Sequence, residues 1–137
     1  MGEAMMVAGV GCRRGTSAKA IEAVIAAALV RAGLARPMLD AIAAPAAKHD
    51  EAGIVAAASA LGVPLVLIAQ PDLESAASRV ETRSKRVMTL TGVPCVAEAA
   101  ALAAGGPAAC LVLARIAIGP ATCALAISET ASSEVAP

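Results

Sequence analysis

The residues most able to do chemistry stand together near the N-terminus, in the segment Gly9-Val10-Gly11-Cys12-Arg13-Arg14-Gly15-Thr16-Ser17. Glycines let a backbone turn tightly, and the N-terminus of a following helix presents unpaired N–H groups that favour an anion. Thr16 and Ser17 add hydroxyl groups, while Arg13 and Arg14 add guanidinium groups that match carboxylate or phosphate oxygens. The pattern predicts an anion-binding loop over residues 11–17, at a strand-to-helix junction.

The spacing of this loop matches neither of two well-known phosphate-binding motifs. No lysine follows Gly15, so GxxxxGK[ST] is absent, and the glycines are spaced GxGxxxG where a dinucleotide site has GxGxxG. A variant dinucleotide site stays open, with Asp40 about 25 residues beyond the loop as its acidic partner. A structural alternative also stays open, in which the glycines serve only the geometry of the turn.

Cys12 is the candidate nucleophile of the loop. A thiol at a helix N-terminus beside two arginines is expected to have a lowered pKa and to be more nucleophilic at neutral pH. His49 is the only histidine and therefore the only imidazole that could pair with this thiol. The alternative is that Cys12 is a small packing residue at the end of a strand.

A second group of polar residues, Lys48-His49-Asp50-Glu51, stands at another predicted strand-to-helix junction. Such junctions are where α/β proteins build ligand sites, although Asp50 and Glu51 also suit the first turn of a helix electrostatically. Glu98 is the only charged residue between Arg86 and Arg115. Its carboxylate either faces solvent or is partly buried near a site, and the sequence leaves both alternatives open.

The composition excludes several functional classes. The chain has no Phe, Tyr or Trp, so it lacks the rings that stack on nucleobases in RNA- and single-strand-binding proteins. Basic and acidic residues balance at 11 each, whereas proteins that bind duplex nucleic acid usually carry a basic surplus. Four cysteines without a CxxC pair and a single histidine do not form a zinc motif. We expect free cysteines in a cytoplasmic protein, with no metal, no cofactor and no nucleic-acid partner.

Alternating apolar segments predict the fold. Strand-like segments occupy residues 4–10, 37–43, 64–68, 110–118 and 121–127, and helix-like segments occupy residues 18–32, 50–61, 71–74 and 94–104. The last two strands form a hairpin, because the gap at Gly119-Pro120 is too short for a parallel crossover. We predict an α/β fold of three α/β/α layers, with a mostly parallel (mixed) sheet and a C-terminal antiparallel hairpin.

The chain length suits one domain, which we place over residues 1–127. Residues 79–86 give no clear prediction, and residues 128–137 are expected to form a flexible polar tail. Mean hydropathy is +0.75, yet turn residues divide the uncharged run of residues 52–69 at Gly62-Val63-Pro64. We therefore expect no membrane helix, and the start of the chain has no basic segment typical of a secretory signal.

Residues 10–17 resemble the characteristic motif of the CobE family in cobalamin biosynthesis, a family that also includes the C-terminal domain of CbiG. Three further stretches fit the same family in order: residues 48–54 with 60–65, residues 91–102, and the closing strand pair within residues 111–127. The resemblance implies an α/β fold and a place in building the corrin ring. Its motif covers Gly11, Cys12, Arg13, Gly15, Thr16, Ser17, Lys48, Glu51 and Glu98, and Arg115 replaces the family's usual lysine.

The resemblance leads to three hypotheses about function. In the first, the protein binds a precorrin or corrinoid intermediate at a site made by the loop of residues 11–17 with Lys48, Glu98 and Arg115. The basic groups and the loop N–H groups hold its carboxylates, while aliphatic side chains cover the ring. In the second, it opens a lactone on a cobalt-precorrin as CbiG is associated with doing, with Glu51 or Glu98 as general base or Cys12 as nucleophile. In the third, it docks a pathway enzyme or a second copy of itself.

Overall fold

Strands and helices alternate along the part of the chain that the structure, a computed structural model, describes, which is residues 4–129. The strands are β1 (Ala4–Cys12), β2 (Ala41–Pro45), β3 (Leu65–Ile68), β4 (Cys110–Ile118) and β5 (Ala121–Glu129). The helices are α1 (Ala18–Ala32), α2 (Ala52–Leu61), α3 (Gln70–Ala76), α4 (Lys85–Thr91) and α5 (Val96–Gly105).

The five strands form one mixed sheet in the order β3-β2-β1-β5-β4. β1, β2 and β3 pair in parallel, and β5 pairs antiparallel with both β1 and β4. Four strands therefore run in one direction and β5 alone runs in the other, which confirms the predicted mixed sheet with its C-terminal antiparallel pair. The carboxyl ends of β1, β2, β3 and β4 consequently meet at one edge of the sheet, together with the start of β5.

Each face of the sheet is covered by helices, as the three-layer prediction requires. Met6, Ala8 and Val10 of β1 belong to a core that includes buried residues of α1 and α2. Val7, the residue between Met6 and Ala8, belongs to the opposite core, which includes buried residues of α3 and α5. Because successive side chains of a strand point to opposite faces, this alternation assigns the two pairs of helices to opposite sides of the sheet.

Small residues bring α5 very close to β1. A Cβ atom at Gly9 would overlap the carbonyl oxygen of Ala97 and would lie 2.7 Å from the backbone nitrogen of Ala101. Ala97, Ala99, Ala100 and Ala101 of α5 are all buried. The alanine-rich composition thus has a physical role here, because only thin side chains let the helix axis approach the sheet this closely.

Several boundaries differ from those that the sequence predicts. The segment predicted as a strand over residues 37–43 begins with a short 3-10 helix at Arg36–Met38, and β2 starts only at Ala41. The second helix starts at Ala52, after a 3-10 helix at Ala46–Lys48. Residues 79–86 had no predicted structure, and the last two of them, Lys85 and Arg86, begin α4. The Ser84 hydroxyl caps this helix by accepting the Val87 N–H at 3.2 Å.

The end of the chain also differs. β5 continues through Ser128, which lies opposite Met5 in the sheet and is buried. The predicted tail therefore begins two residues too early, because long-range pairing with β1 extends the strand beyond its apolar run. The remaining residues of that predicted tail, 130–137, lie outside the described residues.

Within residues 4–129, no single helix is both long and apolar enough to cross a membrane. α4 and α5 reach that length and composition only as a pair, and the two helices are bent by 64° at the break between them. In the same residues, no group of three or more His, Cys, Asp or Glu side chains is placed to hold a metal ion.

Candidate functional site

A cleft of about 900 Å³ opens at the edge of the sheet where the carboxyl ends of the strands meet. Gly11, Cys12 and Arg13 reach it from the end of β1, and Lys48 reaches it from the 3-10 helix that follows β2. Pro120 and Thr122 border it at the start of β5, while α4 and the start of α5 supply another wall. Ligands of open α/β sheets bind at this edge, because the connecting loops diverge there.

The charge of the cleft has one sign. Arg13, Lys48, Arg86 and Arg115 line it, and no Asp or Glu occurs among its described lining residues. The whole chain is neutral, with 11 basic and 11 acidic residues. Positively charged side chains are therefore concentrated in the cleft, and such a concentration attracts anions.

The remaining wall of the cleft is mostly aliphatic. Its larger apolar residues are Pro45, Leu73, Val87, Leu90, Val96 and Pro120. Apolar walls with a few convergent charged groups are the usual construction of a small-molecule site, and the volume lies within the usual range of about 300–1,000 Å³.

An irregularity in β4 places Arg115 at the cleft. The pairing of β4 with β5 shifts register between Leu113 and Ile116, so Arg115 falls within a bulge. A bulge redirects side chains and leaves a backbone N–H without its partner in the ladder. Here the Arg115 N–H donates instead to Oε2 of Glu98 at 2.8 Å. Glu98 thereby holds the bulge, and the bulge carries the arginine that lines the cleft.

Glu98 itself is fully buried and saturated with hydrogen bonds. Besides Arg115, its carboxylate accepts the backbone N–H groups of Glu81 at 2.6 Å and Thr82 at 2.9 Å, and the Thr82 hydroxyl at 2.6 Å. Burial raises the pKa of Glu98, but the four hydrogen bonds together lower it by more. The pKa of Glu98 therefore lies below its ordinary value. Glu98 is 0% exposed and does not line the cleft.

Glu51 occupies a comparable place below the loop of residues 11–17. Its Oε1 accepts the N–H of Gly15 at 3.0 Å, and its Oε2 lies 4.0 Å from Nζ of Lys48. The side chain is 5% exposed, and Oε2 is buried without a hydrogen-bond partner. A carboxylate of the protein itself therefore accepts a loop N–H that was predicted to bind an anionic ligand, and it also approaches the lysine of the cleft.

Cys12 lines the cleft and is partly exposed. Burial has the largest effect on the pKa of the Cys12 thiol and raises it, and Glu51 adds a smaller increase. Lys48 and a hydrogen bond with Thr16 lower this pKa, but the net result is an increase. The expected lowering of the thiol pKa is therefore wrong, because desolvation outweighs the neighbouring positive charge. His49 is exposed, its Nδ1 lies 3.1 Å from the carbonyl oxygen of Ala46, and it does not line the cleft.

The rest of the loop turns inward or away from the cleft. The Thr16 hydroxyl is buried and donates to the carbonyl oxygen of Arg13 at 2.6 Å. The Ser17 hydroxyl accepts the Ala20 N–H at 3.1 Å and caps α1, as predicted. Arg14 and Gly15 are exposed but do not line the cleft. Of residues 11–17, only the first three face this site.

Gly53 explains how the two polar groups of the sequence come together. A Cβ atom at this position would overlap the carbonyl oxygen of Thr16. The first turn of α2 therefore lies directly against the loop before α1, which brings Glu51 beneath Gly15 and Lys48 beside Cys12.

The structure does not support the variant dinucleotide site. Asp40 precedes β2, at the amino end of that strand, whereas the cleft lies at the carboxyl ends. Its Oδ2 accepts the Met6 N–H at 2.7 Å, and its own N–H donates to the Met6 carbonyl oxygen at 2.9 Å. Asp40 thus extends the pairing of β1 with β2. It lies at the opposite end of the strands from the cleft, so it is not placed to hold a ribose there.

α4 and α3 contribute residues to the cleft that the sequence did not predict. Arg86, Val87, Leu90 and Thr91 line it from α4, and Gln70 lines it from the start of α3. The Gln70 side chain donates to the carbonyl oxygen of Thr91 at 2.9 Å and so ties the two helices together. The basic residues between Arg79 and Arg86 were the available signal, but the sequence shows no periodicity there that would place them.

Comparisons with known proteins agree on a family. Residues 6–126 match the family described as Cobalamin synthesis G C-terminus. Protein CobE of a Sinorhizobium species is 38% identical over 129 residues, which is 94% of this chain and 84% of that protein.

Solved structures give the same result. A crystal structure of CobE, described as a protein from the cobalamin (vitamin B12) biosynthetic pathway, matches with a TM-score of 0.85 at 35% identity, over 90% of each chain. The cobalamin biosynthesis protein chiG from Agrobacterium tumefaciens str. C58 matches with a TM-score of 0.72 at 37% identity, over 90% of this chain and 98% of that one. The chain belongs to the CobE and CbiG C-terminal family of cobalamin biosynthesis proteins.

Proposed function

We propose that this protein binds a precorrin or corrinoid intermediate in the cleft at the carboxyl ends of the strands. The observation that carries the proposal is the convergence of Arg13, Lys48, Arg86 and Arg115 in a cleft whose described lining residues include no acid. Corrin-ring intermediates carry acetate and propionate groups around a large apolar ring. Guanidinium groups match such carboxylates with paired hydrogen bonds, and the ammonium of Lys48 adds a point charge.

The apolar wall supports the same ligand class. The chain has no aromatic residue, so contacts with the face of a macrocycle are aliphatic, and Val87, Leu90 and Val96 are placed to make them. Specificity then rests on the carboxylate rim of the ligand, which the four cations address. A small inorganic anion would use the cations but would leave the apolar wall uncovered.

In this proposal the two buried carboxylates are positioning residues. Glu98 holds the backbone of Arg115, and Glu51 holds Gly15 and lies near Lys48. Each carboxylate thus supports one of the cations that line the cleft.

The test is a spectroscopic titration of the protein with hydrogenobyrinic acid. Removal of two cations in Arg13→Ala/Lys48→Ala is expected to weaken binding by at least about a hundredfold, because each hydrogen bond to a charged group contributes about 1.5–3 kcal/mol. Arg14→Ala is the control for Arg13: it removes one guanidinium group from the neighbouring exposed position, outside the cleft, and should keep the wild-type affinity. No binding at micromolar protein, or equal losses in both variants, contradicts the proposal.

Lactone opening is the second candidate, and the observation that favours it is the Cys12 thiol in the cleft. Its raised pKa leaves little thiolate at neutral pH, which makes covalent attack slow unless the substrate shifts the pKa. The assay is incubation with the lactone intermediate and detection of the released two-carbon aldehyde. Turnover by wild type that is lost in Cys12→Ser would establish this candidate, and turnover that survives in Cys12→Ser, Glu51→Gln and Glu98→Gln would exclude all three roles.

A further inference from the structure

α4 is the least buried of the α-helices that line the cleft. It has no buried residue along its length, in contrast to α1, α2, α3 and α5. Its ends are tied by hydrogen bonds: the Ser84 N–H donates to the Pro94 carbonyl oxygen at 3.1 Å, and Gln70 binds the carbonyl oxygen of Thr91. An element with few buried apolar contacts opens at a low free-energy cost.

The residues of α4 divide cleanly between two surfaces. Arg86, Val87, Leu90 and Thr91 line the cleft, whereas Lys85, Met88 and Thr89 line a separate depression of about 820 Å³. Leu90 is 73% exposed although it lines the cleft. Residues four apart lie on the same face of a helix, so the exposed leucine and the guanidinium of Arg86 are presented together.

Resting on the proposed function, we propose that α4 is the ligand-responsive cover of the cleft. Leu90 and Val87 pack against the apolar ring of the bound tetrapyrrole, Arg86 engages a carboxylate of its rim, and these contacts immobilise α4. A ligand with an apolar body and an anionic edge matches this helix face, whereas a simple anion would engage Arg86 alone.

Binding affinity separates the two faces of the helix. Leu90→Ala is expected to weaken the binding of hydrogenobyrinic acid by about tenfold, because it removes aliphatic surface that the ring would cover. Met88→Ala is the matched control: Met88 is 50% exposed on the same helix but faces the other depression, so its affinity should equal that of wild type. Both side chains are largely exposed, so both variants should retain the wild-type melting temperature.

Tryptic cleavage reports the mobility of α4 directly. Trypsin should cut after Lys85 and Arg86 in the free protein, and saturating hydrogenobyrinic acid should slow this cleavage in wild type and in Met88→Ala. Wild type that fails to bind refutes the proposed function. If wild type binds, then equal affinity of Leu90→Ala and wild type, equal losses in Leu90→Ala and Met88→Ala, or unchanged cleavage on binding each refute the role of α4 and leave the binding function standing.

Discussion

Glu98→Gln changes a buried carboxylate into an amide of the same shape, and its effect can be worked from four hydrogen bonds. The carboxylate accepts the N–H groups of Glu81, Thr82 and Arg115 and the hydroxyl of Thr82, with two donors on each oxygen. An amide has one oxygen that accepts and one NH₂ group that only donates. With the NH₂ group at the Oε2 position, the Arg115 N–H faces another donor, whereas the Thr82 hydroxyl can turn to accept. With the NH₂ group at the Oε1 position, the N–H groups of Glu81 and Thr82 both face another donor. The first orientation is therefore preferred, and it leaves at least one buried donor unpaired.

The expected loss of stability is large for a single isosteric change. The lost hydrogen bond to a charged group contributes about 1.5–3 kcal/mol, and the remaining hydrogen bonds weaken because the amide carries no charge. A loss of this size in an isosteric substitution is typical of a disrupted buried polar network. Because Arg115 loses the acceptor that holds its bulge, the variant should also bind hydrogenobyrinic acid more weakly.

The assay is urea denaturation of wild type, Glu98→Gln and the control Glu81→Gln. Glu81→Gln makes the same chemical change at an exposed side chain. Its free energy of unfolding should stay within about 0.5 kcal/mol of the wild-type value. A Glu98→Gln variant that unfolds within about 1 kcal/mol of wild type would refute the structural role. If that stable variant also lost lactone-opening turnover, Glu98 would be a proton-transfer group instead.

The pH dependence gives an independent check on the same carboxylate. The pKa of Glu98 in the folded protein lies below its ordinary value of 4.5. Its contribution is therefore fully present above that ordinary value and is lost as the pH falls through the lower folded-state pKa. The stability difference between wild type and Glu98→Gln should shrink in this acidic range, and a difference that is constant from neutral to acidic pH would contradict the argument.

Two further predictions concern the loop that borders the cleft. Gly53→Ala should destabilise the protein by about 1–3 kcal/mol in thermal or urea unfolding, because the new methyl group would overlap the Thr16 carbonyl oxygen. Helix propensity alone predicts that alanine stabilises the helix. A variant more stable than wild type would therefore show that the chain relaxes to relieve the overlap. The pH–rate profile of iodoacetamide alkylation at Cys12 should give an apparent pKa above 9.0. Lys48→Met should raise this apparent pKa further, because Lys48 stabilises the thiolate. A lower apparent pKa in Lys48→Met would contradict the assigned influence of Lys48.

The sequence predicted local elements well where their signals lie within a few residues. The boundaries of α1 are those predicted, since Ser17 caps its start and its apolar residues recur at helical spacing. β4 also has its predicted boundaries, and β5 has its predicted start. Prediction failed for residues 79–86, because α4 is held by Ser84, Pro94 and Gln70 rather than by an apolar face of its own.

The candidate site was predictable in part for the same reason. Of the residues that the sequence predicted to bind a ligand, Gly11, Cys12, Arg13, Lys48 and Arg115 line the cleft. Glu51 and Glu98 lie in supporting positions, and Arg14, Thr16 and Ser17 do not line the cleft. The direction in which a loop side chain points depends on hydrogen bonds to distant residues, and these are absent from local patterns.

By itself, the sequence determined which residues are available and which segments become strands and helices, because helical periodicity, capping and strand alternation are short-range properties. It also determined the family, because the matching motifs recur in order along nearly the whole chain. Only the tertiary structure decided that Arg13, Lys48, Arg86 and Arg115 share one cleft, whose lining among residues 4–129 includes no Asp or Glu. That convergence depends on the strand order β3-β2-β1-β5-β4 and on the bulge held by Glu98, both of which arise from pairings between residues far apart in the chain.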